Sequence, residues 1–173
     1  EFSNLKVSFV SEAVYKKVCY KEKPDGALAV ARINKLELTT LNLKNKPLLV
    51  ILEAVEKPGN LGAIIRSAYA SGVSAIIIND EQTDIYNPNV IRASEGFVFK
   101  VPIIIANRKD TTAFLKKNNI KIFAAALNGL KRYTDINFKE ASAILLGTES
   151  TGLSQEWLGL SDEIIKIPMK PGI

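Results

Sequence analysis

From residue 47 onward the chain alternates short, continuous apolar runs with amphipathic stretches. Leu48 to Val55 (LLVILEAV) reads as a strand, and Lys57-Pro58-Gly59-Asn60 as a turn. A helix is predicted from Leu61 to Ser71, stopped by Gly72. Val73 to Asn79 is the second strand. Asn87-Pro88 supplies an N-cap and first helical residue for a short helix through Ser94. Phe97 to Ile105 is expected to be extended, Thr111 to Asn119 helical, and Lys121 to Leu127 a strand. Ala143 to Gly147 is another strand, Ser154 to Leu158 a helical turn, and Glu163 to Met169 a final strand. Apolar strands separated by helices indicate an α/β fold, a mostly parallel sheet with helices on both faces. In such sheets ligands bind where the loops gather at the carboxyl ends of the strands. Loops 56–60, 79–87, 127–135, 147–153 and 169–173 are therefore where function is sought.

Residues 1–46 read differently. Ser11 caps a short helix through Tyr20 with Glu12 in its first turn, Pro24-Asp25-Gly26 forms a turn, and Ala27 to Ile33 is predicted to be a strand. One helix and one or two strands cannot cover their own apolar faces. The segment is either the end of a larger domain or an appendage on residues 47–173. The chain opens at Glu1 without a Met, so further residues upstream are expected.

Composition narrows the chemistry. Of 173 residues 47% are hydrophobic and 24% charged, enough to build a core. These residues include no His, which removes His triads, a His general base and His-ligated metals from their repertoire. The one Cys, Cys19, rules out a disulfide within the chain and cysteine zinc sites, and fits a reducing, cytoplasmic setting. No metal is expected. The apolar runs are far short of the ~18 residues of a membrane span, so no membrane partner is expected.

The net charge of +5 favours a polyanionic partner, because neutralising phosphates releases counterions. Lys16, Lys17, Lys21 and Lys23 around Cys19 and Tyr20 are either a solvated helix face or a nucleic-acid surface.

No phosphate-binding G-x-x-x-x-G-K-[ST], no G-x-G-x-x-G after the first strand and no G-x-S-x-G elbow is present. Three other pieces stand at the strand ends. In Pro58-Gly59-Asn60-Leu61-Gly62-Ala63-Ile64-Ile65-Arg66, Asn60 is predicted to cap the helix, whose free amides make an anion seat. Leu61, Ile64, Ile65 and Ala68 form an apolar stripe, and Arg66 lies about 150° from it beside Gly62 and Ala70. Those small neighbours admit another backbone or a ligand; otherwise Arg66 is a solvated surface cation. Gly147-Thr148-Glu149-Ser150-Thr151-Gly152-Leu153 follows an apolar strand, its two glycines permitting close backbone approach. Ile167-Pro168-Met169 closes the last strand, where Pro168 cannot donate to a ladder.

In this order, N-x-G-x-x-x-R, G-x-E-x-x-G-L and I-P-M resemble the SpoU/TrmH-type RNA ribose 2′-O-methyltransferases of the SPOUT superfamily. Tyr86-Asn87-Pro88 through Ser94-x-Gly96 is similar to that family too, and the likeness covers about 47–173. Residues 1–46 resemble the tail of the ribosomal-protein-like substrate-binding domain that often precedes it. The resemblance implies S-adenosylmethionine as methyl donor, RNA as substrate (rRNA favoured, tRNA the alternative), a homodimer and a carboxyl-terminal trefoil knot. It implies Arg66, Asn60 and Glu149 as catalytic-site residues, with Gly147 and Ile167 holding the cofactor and Gly152, Met169 and Leu127 lining its pocket. On this reading the Arg66 guanidinium is expected close to the glycine turn and the I-P-M strand. In the family that strand continues into a Ser-Leu-Asn segment and a helix that threads the knot. The sequence stops at Gly172-Ile173, and a chain ending there is expected to bind cofactor poorly. A non-catalytic RNA-binding protein of the same fold, a flavodoxin-like protein and a plain structural module are the competing readings.

Overall fold

The computed structural model describes residues 6–20 and 26–170, and seven strands among them form one parallel sheet. The strands are β1 (Leu48–Glu53), β2 (Ala75–Asn79), β3 (Ile103–Ile105), β4 (Lys121–Ala125), β5 (Lys131–Arg132), β6 (Ser142–Leu146) and β7 (Glu163–Lys166). Five helices accompany them: α1 (Glu12–Val18), α2 (Pro58–Ala70), α3 (Pro88–Ala93), α4 (Arg108–Lys117) and α5 (Gln155–Leu160). The spatial order is β3-β2-β1-β6-β4-β7-β5.

Burial on both faces explains the continuous apolar strands. Alternate residues of β1 point opposite ways. Leu49 and Ile51 pack with Ile77, Leu145, Leu115 of α4 and Trp157 of α5. Val50 and Leu52 pack with Ile76, Ile78, Leu61 and Ile65 of α2 and Val90 of α3. Each fully buried aliphatic side chain contributes about 1.5–3 kcal/mol, so a one-residue slip of β1 would exchange both layers at once. The register Leu49↔Ala75 and Leu49↔Ala143 sets a large residue between two small ones.

Chain order reverses at the centre of the sheet. From β1 the chain proceeds to β2 and β3 on one side, while β6 leads to β7 on the other. The helix after β1 lies in one core layer and the helix after β6 in the opposite one. The carboxyl ends of β1 and β6 therefore flank a crevice at a topological switch point, the usual ligand position in open α/β sheets.

The predicted strands are all present from β1 on; β6 keeps its predicted length one residue earlier, the others are shorter, and the two-residue β5 beside β7 is additional. Three further differences have local causes. Residues 97–105 are not one extended run: Phe97–Phe99 is a 3-10 turn entered through Gly96 at φ 79°, and only Ile103–Ile105 is strand. Helix α4 begins three residues earlier than predicted because Asn107 accepts a hydrogen bond from the Asp110 amide at 2.8 Å. Helix α2 begins at Pro58, so Lys57 occupies the N-cap position and Asn60 the first turn, correcting the predicted Asn60 cap. Pro58 has no amide to lose and its fixed φ suits the first helical position, which outweighs Asn60's preference for a cap.

The chain divides into two units, Glu1–Asn34 and Lys35–Ile173. In the first, Ser11 caps α1 as expected, but the helix ends at Val18 and buries none of its residues. Ala27 to Ile33 is not a strand; Leu28, Val30 and Ile33 are exposed, and no ladder partner exists among the described residues. An apolar run becomes a strand only when a neighbouring edge takes its backbone groups. Pro24-Asp25, Lys21, Lys23 and Gly172-Ile173 lie outside the described residues, as does the segment on which the knot expectation rests. In the second unit, residues 35–46 are part of the packing: Leu38, Leu41 and Leu43 lie against the core, and Leu36 bridges Ile104. No helix among the described residues is long and apolar enough to cross a membrane.

Candidate active site

The crevice between β1 and β6 is a cleft of about 580 Å³, lined by Lys57, Asn60 and Ile64 on one side and Leu146 to Ser150 on the other. Two carboxylates tie its walls. Glu53, buried at the end of β1, accepts a hydrogen bond from the Ser154 amide at 2.9 Å, just where α5 begins. Glu149 reaches back across the cleft to Lys57 Nζ at 2.5 Å and accepts a longer bond from Asn60 Nδ2 at 3.3 Å. The loops after β1 and β6 are thus joined twice, once beneath and once at the rim.

The glycine loop owes its shape to its sequence. A Cβ on Gly147 would run into the backbone of Gly152 and Leu153, closer than real Cβ contacts allow. With no side chain there, Thr148 and Gly152 exchange backbone hydrogen bonds at 3.0 and 3.2 Å. Gly152 closes the turn at φ 71°, in the left-handed region that glycine enters without strain. The Thr151 amide donates to Thr148 Oγ1 at 3.0 Å, and Glu149 and Ser150 form the exposed tip.

Lys57 is a cation at a helix N-terminus, where the macrodipole disfavours it. Glu149 answers that field as well as the ammonium. The Lys57 hydrogen bond, then its charge, hold the Glu149 carboxyl below the usual carboxylate range. In return the Glu149 hydrogen bond and charge raise Lys57 above the ordinary lysine value. Both side chains are 65% exposed, so solvent screens much of this attraction.

Of the predicted catalytic residues, the structure brings Asn60 and Glu149 together but does not bring Arg66 to them. Arg66 lies six residues beyond Asn60, about 9 Å along α2 and turned roughly 120° around it. It does not line the cleft; its guanidinium pairs with Glu95 at 2.8 Å. Its ion-pair partner in this structure is thus Glu95 and not a residue of the glycine turn. The expectation that Gly62 admits another backbone is met: a Cβ there would lie 2.5 Å from Ala93 Cβ and 2.8 Å from the Ser94 amide.

The predicted cofactor-side residues stand at the carboxyl ends of three neighbouring strands. Gly147 and Gly152 follow β6, Leu127 follows β4, and Ile167 and Met169 follow β7. Gly147 lines the cleft, whereas Leu127, Ile167 and Met169 lie outside it and are exposed by 83%, 56% and 58%. Three site residues escaped the sequence reading. Lys57 and Glu53 carried no motif signal. Gly129 did, in the turn dipeptide Asn128-Gly129. It packs on the β7 backbone at Ile165 and Lys166, where a Cβ would not fit.

Comparison with known proteins agrees with this geometry. Residues 47–173 match the model of the SpoU rRNA Methylase family. The chain is 28% identical over 160 residues to the 23S rRNA (guanosine(2553)-2′-O)-methyltransferase RlmP of Bacillus subtilis, covering 92% of this chain and 62% of that protein. It is 29% identical over 177 residues to a 23S rRNA (adenosine(1067)-2′-O)-methyltransferase of Streptomyces laurentii, covering 99% of this chain and 64% of the relative. The crystal structure of an AdoMet-bound rRNA methyltransferase from Sinorhizobium meliloti superposes with a TM-score of 0.87 at 29% identity, over 94% of this chain and 62% of that one. The chain thus spans less than two thirds of the length of these relatives. The match of residues 47–173, a span that includes both loops meeting at the β1–β6 cleft, establishes that the chain belongs to the SpoU rRNA methylase family.

Proposed function

We propose that this chain carries the catalytic part of an S-adenosylmethionine-dependent RNA ribose 2′-O-methyltransferase acting on rRNA. The carrying observation is that the two motif-bearing loops of a SpoU-family domain are locked together at the strand-order reversal by Glu149 on Lys57 and Asn60. Two of the relatives above are named as 23S rRNA 2′-O-methyltransferases, and the superposed Sinorhizobium structure is named as AdoMet-bound.

The strand ends suit such a donor. Leu127, Ile167 and Met169 present exposed apolar surface on the ends of β4 and β7, a fitting floor for a flat adenosyl group, and Gly147 and Gly152 leave backbone accessible beside it. When bound, S-adenosylmethionine supplies an electrophilic methyl group on a sulfonium that departs as a neutral thioether. The protein's own task is to place a ribose hydroxyl and ease loss of its proton. Arg66 stays protonated at any working pH, so its role is electrostatic: on exchanging Glu95 for an RNA phosphate it anchors the substrate, and brought to the cleft with that phosphate it stabilises developing negative charge on the 2′-oxygen. It is half exposed and, among the described residues, held by the Glu95 ion pair alone, so exchange of Glu95 for a phosphate is open to it. Asn60 orients the hydroxyl from the first turn of α2, and Glu149 fixes Asn60. A homodimer, as the family resemblance implies, belongs to this proposal.

The test is transfer of labelled methyl groups from S-adenosylmethionine to rRNA, with the product nucleoside identified by mass spectrometry. Arg66→Ala is expected to lower transfer by about 100-fold or more while leaving cofactor binding nearly unchanged. Loss of cofactor binding in the same variant would make Arg66 structural, and methylation of a base instead of a ribose would overturn the reaction assigned.

A further inference from the structure

A second surface outside the cleft has the composition of a nucleic-acid platform. Two aromatic pairs stand on the face built by α2 and the segment 86–100. Tyr69 stacks on Phe97 with centroids 4.2 Å apart and planes 16° from parallel. Tyr86 stacks on Phe99 at 6.0 Å and 21°. In each pair the inner ring, Phe97 or Tyr86, packs against the core beneath. The outer ring is left open: Tyr69 is 45% exposed and Phe99 63%.

Cations frame the same face. Arg66 lies one turn before Tyr69 on α2 and reaches Glu95, two residues before Phe97, so both α2 side chains face this segment. Lys100 follows Phe99 directly and is exposed, with no ion pair among the described residues. Arg92 has no carboxylate partner among them either. Of the carboxylates beside these rings, Glu95 pairs with Arg66 and Asp84 accepts from the Tyr86 amide at 2.9 Å, which leaves Arg92 and Lys100 without a carboxylate among the described residues.

We propose that Tyr69 and Phe99 are stacking platforms for unpaired nucleotides of the RNA substrate, with Lys100 holding the adjoining phosphate. Every base presents a π-face to an aromatic ring, and cations beside the rings track the backbone, which is how single strands are bound without duplex geometry. This deepens the proposed function by naming the substrate as single-stranded or looped RNA near the reacting nucleotide, and it rests on that reading for RNA as partner. Glu95 joins the two sites, since it pairs with Arg66 from the same segment that carries Phe97 and Phe99.

The experiment is fluorescence anisotropy of the protein with a labelled single-stranded 12-mer oligoribonucleotide and with a blunt RNA duplex, alongside sedimentation and thermal unfolding. Phe99→Ala and Tyr69→Ala should each weaken single-strand binding about 5- to 100-fold, with little change in duplex binding or unfolding temperature. Phe99→Trp should retain the affinity. Lys100→Ala should lessen the salt slope of single-strand binding by about 0.7. Wild-type affinity in Phe99→Ala, or equal losses for single strand and duplex, would overturn the proposal. So would a shift in oligomeric state with unchanged RNA binding, which would give the surface to a second copy of the chain. Methyl transfer is scored separately: unaltered methylation and RNA affinity in Phe99→Ala refute the platform alone. Selective loss of single-strand binding in a protein that transfers no methyl group refutes the enzyme reading alone.

Discussion

Lys57 shows how one side chain sets the electrostatics of the cleft. Its hydrogen bond and charge lower the Glu149 carboxyl, and Glu149 raises Lys57 in turn. A lowered carboxyl contributes stability that is present above its unfolded value and lost as pH falls through the folded one. A raised ammonium contributes below its unfolded value, and that is lost as pH climbs through the folded one. The tie therefore spans the whole neutral range, failing only below ordinary carboxylate titration or above ordinary lysine titration. In Lys57→Met the Glu149 carboxyl should titrate closer to the ordinary range. An acid limb of activity set by Glu149 should then move to higher pH. Carboxyl ¹³C NMR titration of both proteins measures this, and an unmoved Glu149 would leave Asn60 as its only effective partner. Asn60 and Glu149 could be found in the sequence because each sits in a spaced motif, whereas Lys57 reads as an ordinary turn residue before Pro58. Arg66 was found by the same means, yet its reach to Glu95 is a matter of helical phase against α3 that no motif spacing carries.

At the scale of elements, two glycines in one helix make opposite predictions. Gly62 faces the end of α3, and a Cβ there would lie 2.5 Å from Ala93 Cβ. Gly62→Ala must push α2 from α3 and is expected to cost about 1–3 kcal/mol. Gly59, one turn earlier, has nothing within 4 Å of a built Cβ. Gly59→Ala should stabilise by about 0.4–1 kcal/mol through the unfolded chain. Urea denaturation of the pair decides it, since equal effects would mean that α2–α3 contact does not govern this helix. The elements most legible in the sequence were those whose burial is symmetric. β1, β2 and β6 reach into both core layers, and β4 turns Phe123 to Phe138 on the face opposite Ile122 and Ala124; all four show as unbroken apolar runs. Ala27 to Ile33 has the same pattern and failed, because pattern reports apolarity and not the presence of an edge to pair with. The two-residue β5 is too short to leave a period, and its place beside β7 depends on a loop folding over Gly129.

For the whole molecule, the decisive question is where the SpoU-family unit begins. The motif likeness starts near residue 47, and a boundary there would leave 35–46 with the preceding segment. Packing argues otherwise. Leu38, Leu41 and Leu43 are half-buried against the layer that holds Leu115 and Trp157, and Leu36 extends that edge by a bridge to Ile104. Among the described residues none of the buried core comes from before residue 47, so these partly buried leucines act as a cover and carry no motif that sequence comparison would register. A protein starting at Lys35 should keep the cover and unfold within a few degrees of the parent chain. One starting at Pro47 should lose three partial burials, on the order of 3 kcal/mol together, or roughly 10 °C in unfolding temperature. Calorimetry of the two truncations measures the difference. Equal unfolding temperatures would return the boundary to residue 47, while a fall already present in the Lys35 form would mean that the first unit, despite its exposed helix, contributes to the stability of the second.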